Sequence, residues 1–189
     1  MFSALQRFQG ISSNVITAAI WISLFVALSS YAQLYLNEFR SLPAVIDHVK
    51  AVTTLKYSRG FGSRNREPKE NSRIAFDLTA DISDLFNWNT KQVFVYLTAE
   101  YEGQPSIPAN KVTFWNKIIT KKEDAVLNLQ KERSSFSVWD VEDSFRQRNA
   151  SLKLEWNIQP HVGLLLWGEN KGSYELTFPE VKGSSSAST

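Results

Sequence analysis

Residues 151–158 read SLKLEWNI. Leu152, Leu154, Trp156 and Ile158 alternate with Ser151, Lys153, Glu155 and Asn157, so every second side chain is apolar. Side chains on an extended strand point alternately to opposite faces, and this spacing predicts a strand buried on one face. The same period recurs upstream, in Ile74–Ala80 and in Val93–Ala99. In the latter both faces are apolar at the start, as expected of a central strand. Shorter candidates are Val45–Tyr57, Lys111–Ile119, Ala125–Leu129, Phe136–Trp139, Val162–Trp167 and Tyr174–Phe178. Turn-forming residues separate them, among them Gly60, Gly62, Gly103, Pro105, Asn110, Asn149, Pro160, Gly168 and Gly172. Beyond residue 40 helical spacing is confined to short stretches at Ile82–Asn89 and Val126–Glu132. Eight or nine short strands predict an all-β fold, an antiparallel β-sandwich.

The chain upstream is different. Thirty residues, Phe8 to Asn37, carry no formal charge, and within them Val15–Leu36 (VITAAIWISLFVALSSYAQLYL) is apolar over 22 residues. About 20 residues of helix cross the ~30 Å hydrocarbon core of a bilayer. Ser23, Ser29 and Ser30 can return their hydroxyls to the preceding turn, and Tyr31 and Tyr35 fall where an interfacial aromatic belt would lie. A cleaved leader is the rival reading, with Val15–Leu28 as its core and Ser30-Tyr31-Ala32 as the cleavage site. The weak basic region and the apolar continuation through Leu36 favour an uncleaved anchor. Arg7 and the amino terminus precede the span, while Glu38, Arg40, Asp47 and Lys50 after it cancel, which favours a cytosolic N-terminus. The expected organisation is a cytosolic tip (1–14), a transmembrane helix (15–36), a translocated sandwich (37–182) and a disordered tail (183–189, GSSSAST after Lys182).

Composition excludes several chemistries. The 189 residues hold 21 basic and 19 acidic side chains, a net +2 that calls for no nucleic-acid partner. Cysteine is absent, which excludes disulfides, thiol nucleophiles and cysteine-ligated metals. The two histidines, His48 and His161, are the only imidazole bases, and no Gly-x-Ser-x-Gly elbow occurs. A membrane-anchored hydrolase would therefore need an unheralded Ser–Lys or Ser–His pair. Asp140, Glu142 and Asp143 fail as an EF-hand loop, with Phe145 at position six and Ser151 at position twelve. Tyr57–Arg73 holds five basic and two acidic residues around Gly60-Phe61-Gly62, with Asn65 where a dinucleotide-binding loop needs a third glycine. It reads as an exposed loop, or one touching anionic headgroups. Asn149-Ala150-Ser151 is the chain's N-x-S/T sequon, placed in a turn on the translocated side. Asn87-Trp88-Asn89, just before a central strand, reads either as a crossover whose amides satisfy turn backbone or as a partner-facing corner.

Phe76–Tyr101 (FDLTADISDLFNWNTKQVFVYLTAEY) resembles the signature block of the signal peptidase complex subunit 3 family, of fungal type. Thr113–Ile119 (TFWNKII) and Leu152–Gly168 (LKLEWNIQPHVGLLLWG) are similar to that family's later blocks, and the sequon at Asn149 falls where its members carry one. Lys121–Arg148 and the tail from Gly183 carry no recognised motif. The resemblance implies an essential, non-catalytic accessory subunit of the endoplasmic reticulum membrane: single-pass, type II, with a lumenal sandwich. It implies as partners the catalytic subunit, the small membrane subunits and, indirectly, nascent secretory chains. It implies no cofactor, no metal and no catalytic residue. Within that expectation Asn87, Trp88, Asn89 and Trp156 are candidate interface residues, because rigid aromatics flanked by amides make good anchors. The remaining alternative is a secreted β-sandwich binding module with its leader removed after Ala32.

Overall fold

The computed structural model describes residues 3–57, 60, 68–103, 109–139, 145 and 148–181. The acidic cluster Asp140, Glu142 and Asp143, most of the basic loop after Tyr57 and the tail from Gly183 lie outside the described residues.

One helix, α1 (Ala4–Leu36), precedes ten strands among the described residues. Ser3 and Gln6 form a capping box at its start, which carries the helix eleven residues below the first position of the apolar span. The hydroxyls of Thr17 and Ser29 donate to the carbonyls of Ser13 and Val26, so these polar side chains are satisfied within the helix. An apolar window suited to crossing a membrane runs Gln6–Leu36.

The strands are β1 (Ser41–Leu42), β2 (Ala44–Lys56), β3 (Lys69–Asp81), β4 (Thr90–Tyr101), β5 (Asn110–Ile119), β6 (Val126–Arg133), β7 (Val138–Trp139), β8 (Asn149–Pro160), β9 (Leu166–Asn170) and β10 (Tyr174–Thr177). They form two sheets. One has the order β1-β9-β8-β4-β5, with β10 also on β8; the other is β2-β3-β6, with β7 on β3. All pairs are antiparallel except β1 with β9.

The core lies between the sheets. Ile74, Phe76, Leu78 and Ala80 of β3 face Val93, Val95, Leu97 and Ala99 of β4 and Leu152, Leu154, Trp156 and Ile158 of β8, all buried. Phe76 meets Trp115 edge-on, centroids 5.9 Å apart, an arrangement suited to aromatic quadrupoles. Tyr101, Phe114, Phe145 and Phe178 close the far end of the sandwich.

Asp77 sits between two bulges. His48 on β2 and Lys131 on β6 both have positive φ where the register with β3 shifts. The Asp77 carboxylate accepts the Lys131 N–H at 2.6 Å and pairs with His48 Nδ1 at 3.0 Å. The Lys131 backbone bond, followed by the His48 contact, holds its carboxyl below the usual range.

Two local expectations are corrected. Residues 126–132 are strand, not helix, because β6 is held by pairing to β3 and propensity yields to that context. Strand β9 begins at Leu166 rather than Val162, since Gly163 adopts φ +129° and Val162–Leu165 turn toward α1.

Trp156 is the keystone of the core and Gly168 is its complement. A Cβ on Gly168 would collide with the Trp156 indole and with the carbonyl oxygen of Phe39. Replacing Trp156 by Ala removes a fully buried indole and should cost about 3–5 kcal/mol, lowering Tm by roughly 6–20 °C in a chain of this size. Differential scanning fluorimetry of the full chain in detergent measures it.

Candidate functional site

Asn87, Asn89 and Trp156 lie where α1 meets the sandwich. After Leu36 the chain turns through Glu38, whose φ is +53°, and enters β1. The Trp156 indole N–H donates to the carbonyl of Phe39 at 2.8 Å, which ties the helix exit to the centre of the core. The Glu169 and Lys171 amides donate to the carbonyls of Arg40 and Leu42, extending the tie along the β1–β9 edge. On the membrane side, Phe39 packs edge-on against Tyr31.

A second tie comes from the loop between β3 and β4. Ser83–Leu85 form one 3-10 turn that buries Leu85, and the chain then reaches Asn87. Asn87 Nδ2 donates to the Ser30 carbonyl at 3.2 Å and to its hydroxyl oxygen at 2.9 Å. Its Oδ1 accepts the Asn89 backbone N–H, and its own N–H donates to the Thr90 hydroxyl oxygen. Asn37 adds a contact, donating to the Asp84 carbonyl. Ser30 and Leu34 are consequently buried against the domain although they belong to the apolar helix.

Asn89 is also buried, and it holds the β8–β9 turn. Its Nδ2 donates to the Val162 carbonyl at 2.7 Å, its Oδ1 accepts the Val162 N–H at 3.1 Å, and its carbonyl accepts the His161 N–H. Four of the positions singled out above thus have distinct places. Asn87 and Asn89 turn inward as structural amides, and only Trp88 points outward, 62% exposed. Trp156 is wholly interior, which removes it as a surface anchor. Its position on the core-facing set of β8 already placed it inside, and the aromatic-plus-amide signal that suggested an interface does not separate core from surface.

The sequence reading missed a polar cluster on the outer face of β4 and β8. Glu155 is buried there, accepting the Thr98 hydroxyl at 2.7 Å and pairing with Lys111 Nζ at 2.6 Å. Burial, and then the neighbouring Glu155 carboxylate, push the Tyr96 phenol up to about 12. Alternation labels Glu155 as solvent-facing and carries no sign of the neighbours that cover it.

Asn149 stands exposed at the first position of β8, its Oδ1 accepting the Thr177 hydroxyl. Eleven strand steps lead from it to Pro160, about 35 Å at ~3.3 Å each, so the sequon lies at the end of β8 remote from α1. His48 is engaged by Asp77, as described above.

Asn87→Ala should cost about 1–3 kcal/mol, because it leaves the Asn89 N–H without its acceptor as well as breaking the tie to α1. Ser30→Ala should cost less, since the Ser30 carbonyl still accepts. Hydrogen exchange at residues 30–39 should accelerate in Asn87→Ala while protection in β4 and β8 persists.

Comparison with known proteins agrees with this architecture. A family described as "Signal peptidase subunit" matches residues 1–181. The chain is 53% identical over 181 residues to signal peptidase complex subunit 3 of Debaryomyces hansenii, covering 95% of each chain. It is 49% identical over 178 residues to the Saccharomyces cerevisiae protein of that name, covering 94% of this chain and 96% of the other. Against the Homo sapiens protein it is 32% identical over 143 residues, 75% and 77% of the two chains. One apolar helix and a two-sheet domain among the described residues, with a family match over residues 1–181, converge: this chain belongs to the signal peptidase complex subunit 3 family, the non-catalytic accessory subunits of the endoplasmic reticulum signal peptidase complex.

Proposed function

We propose that the chain holds the catalytic subunit of the complex at a set height over the bilayer, with its N-terminus cytosolic and its sandwich lumenal. The observation that carries this reading is the double tie at the joint, Asn87 to Ser30 and Trp156 to Phe39. A sandwich joined to its anchor by one buried and two part-buried hydrogen bonds turns as one piece with the helix. Such a piece can fix the position of a bound protease, and a misplacement of ~1 Å can cost ~100-fold in rate.

The same tie supports an uncleaved anchor. A chain starting at Gln33 would lose Ser30 and leave a part-buried Asn87 amide without those two acceptors. Trp88 fits a partner contact: it is exposed, aromatic and held between two anchored asparagines, so little entropy is lost when it docks. The occupants of this surface are the catalytic subunit and the small membrane subunits, with nascent chains reached only through them.

Two measurements test the reading. Trp88→Ala should reduce co-purification with the catalytic subunit in mild detergent without lowering the melting temperature; unchanged co-purification removes Trp88 from the interface. The full chain expressed in cells should lose apparent mass on endoglycosidase treatment, and Asn149→Gln should not. A chain never glycosylated at Asn149 would withdraw the support that the sequon lends to a lumenal sandwich.

A further inference from the structure

The uncharged residues of α1 begin the membrane problem rather than finish it. Gln9, Ser12, Ser13 and Asn14 crowd the segment just before Val15, so hydrocarbon favours the helix from about Val15 onward. Counted from there, the ~20 residues that cross ~30 Å of hydrocarbon end near Leu34. The sandwich already grips α1 well short of that point. Ser30 is buried against it, and a Cβ on Gly163 would lie 3.3 Å from the Cβ of Ala27. Ala27 is seven residues, about 10 Å of helix, below Leu34. For a crossing that starts at Val15, the lip of the sandwich around Gly163 lies below the hydrocarbon boundary.

The lip has the composition for it. Between Glu155 and Glu169 the chain carries no formally charged residue, with His161 the one titratable group. Val162, Leu164 and Leu165 form the tip, Leu164 84% and Leu165 48% exposed. Such exposure is unfavourable in water, at about 25 cal/mol per Å² of apolar surface, and neutral in lipid. Irregular backbone is costly in hydrocarbon unless its polar groups are satisfied internally. Asn89 does this at the base of the turn, its amide taking both the N–H and the carbonyl of Val162 and its carbonyl taking the His161 N–H. Trp167, 59% exposed, follows three residues beyond Leu164, where an interfacial aromatic belongs. Between the turn and α1 runs an apolar groove of about 340 Å³, walled by Leu24, Ala27, Leu28, Leu34, Val162 and Leu164.

We propose that the β8–β9 turn, Val162–Leu165, is a second membrane-embedded element of this chain, immersed in the leaflet on the sandwich's side. The proposal rests on α1 crossing the bilayer and is independent of which side the sandwich occupies. The anchor and the turn together grip the bilayer at two points, which restrains tilt of the domain as well as its height.

The absence of cysteine makes the test direct, since any introduced cysteine is unique. Leu164→Cys, Phe25→Cys and Thr177→Cys versions of the full chain are spin-labelled and placed in phosphatidylcholine nanodiscs, and collision rates with oxygen and with a water-soluble nickel chelate are compared. Oxygen should dominate at Leu164, as at Phe25, and the chelate at Thr177. Chelate-dominated relaxation at Leu164 with oxygen-dominated relaxation at Phe25 overturns the proposal while leaving the anchor intact. Protection of Leu164 from both reagents overturns it too, in favour of a protein contact. A chelate-accessible Phe25 overturns the anchor and the proposal together.

Discussion

An apolar helix and a β-sandwich can be joined rigidly only if the polar groups at the joint find partners away from bulk water. The Trp156 indole N–H meets this constraint most severely. It is fully buried, a donor with no acceptor of its own, and the one carbonyl aimed at it belongs to Phe39, three residues past α1. The packing around it follows. Gly168 must lack a side chain so that the indole and the Phe39 carbonyl can approach β9, and β1 must run parallel to β9 because the chain enters the sheet along that edge. The core of the sandwich and the exit of the helix are therefore one packing unit.

The asparagines of the β3–β4 loop extend this unit to the membrane side. Asn87 bonds an α1 residue at Ser30, and Asn89 bonds the β8–β9 turn at Val162. Two segments distant in sequence thus converge on the three-residue stretch 87–89. Trp88, held between them, is an exposed ring on a stiff support. This geometry suits a subunit that contributes placement to a protease assembly rather than reactive groups.

How much of this was legible beforehand differs by kind of feature. Period-two alternation in Ile74–Ala80, Val93–Ala99 and Leu152–Ile158 marked the three central strands, because half-buried strands leave that imprint directly. The apolar run likewise marked α1. What alternation could not convey was tertiary pairing. The Asn-Trp-Asn block was visible as unusual, and the reading in which its amides satisfy turn backbone matches the Asn87–Asn89 contact, but its bond to Ser30 joins residues 57 apart. Val162–Leu165 looked like strand by composition. Only the left-handed region at Gly163 and the proximity of Ala27 show it turning to the helix. Glu155 looked solvent-facing, yet it is buried, bonded to Thr98 on the adjacent β4 and paired with Lys111 on β5 beyond it.

The central claim is that α1 and the sandwich form one rigid body. The most direct measurement is the distance distribution between spin labels on Trp21→Cys in α1 and Glu175→Cys in β10, by double electron–electron resonance on the full chain in nanodiscs. A single narrow distribution, broadened by Asn87→Ala, is the result this account predicts. A broad distribution in the otherwise unaltered chain would show a hinge at residues 37–40 and contradict it.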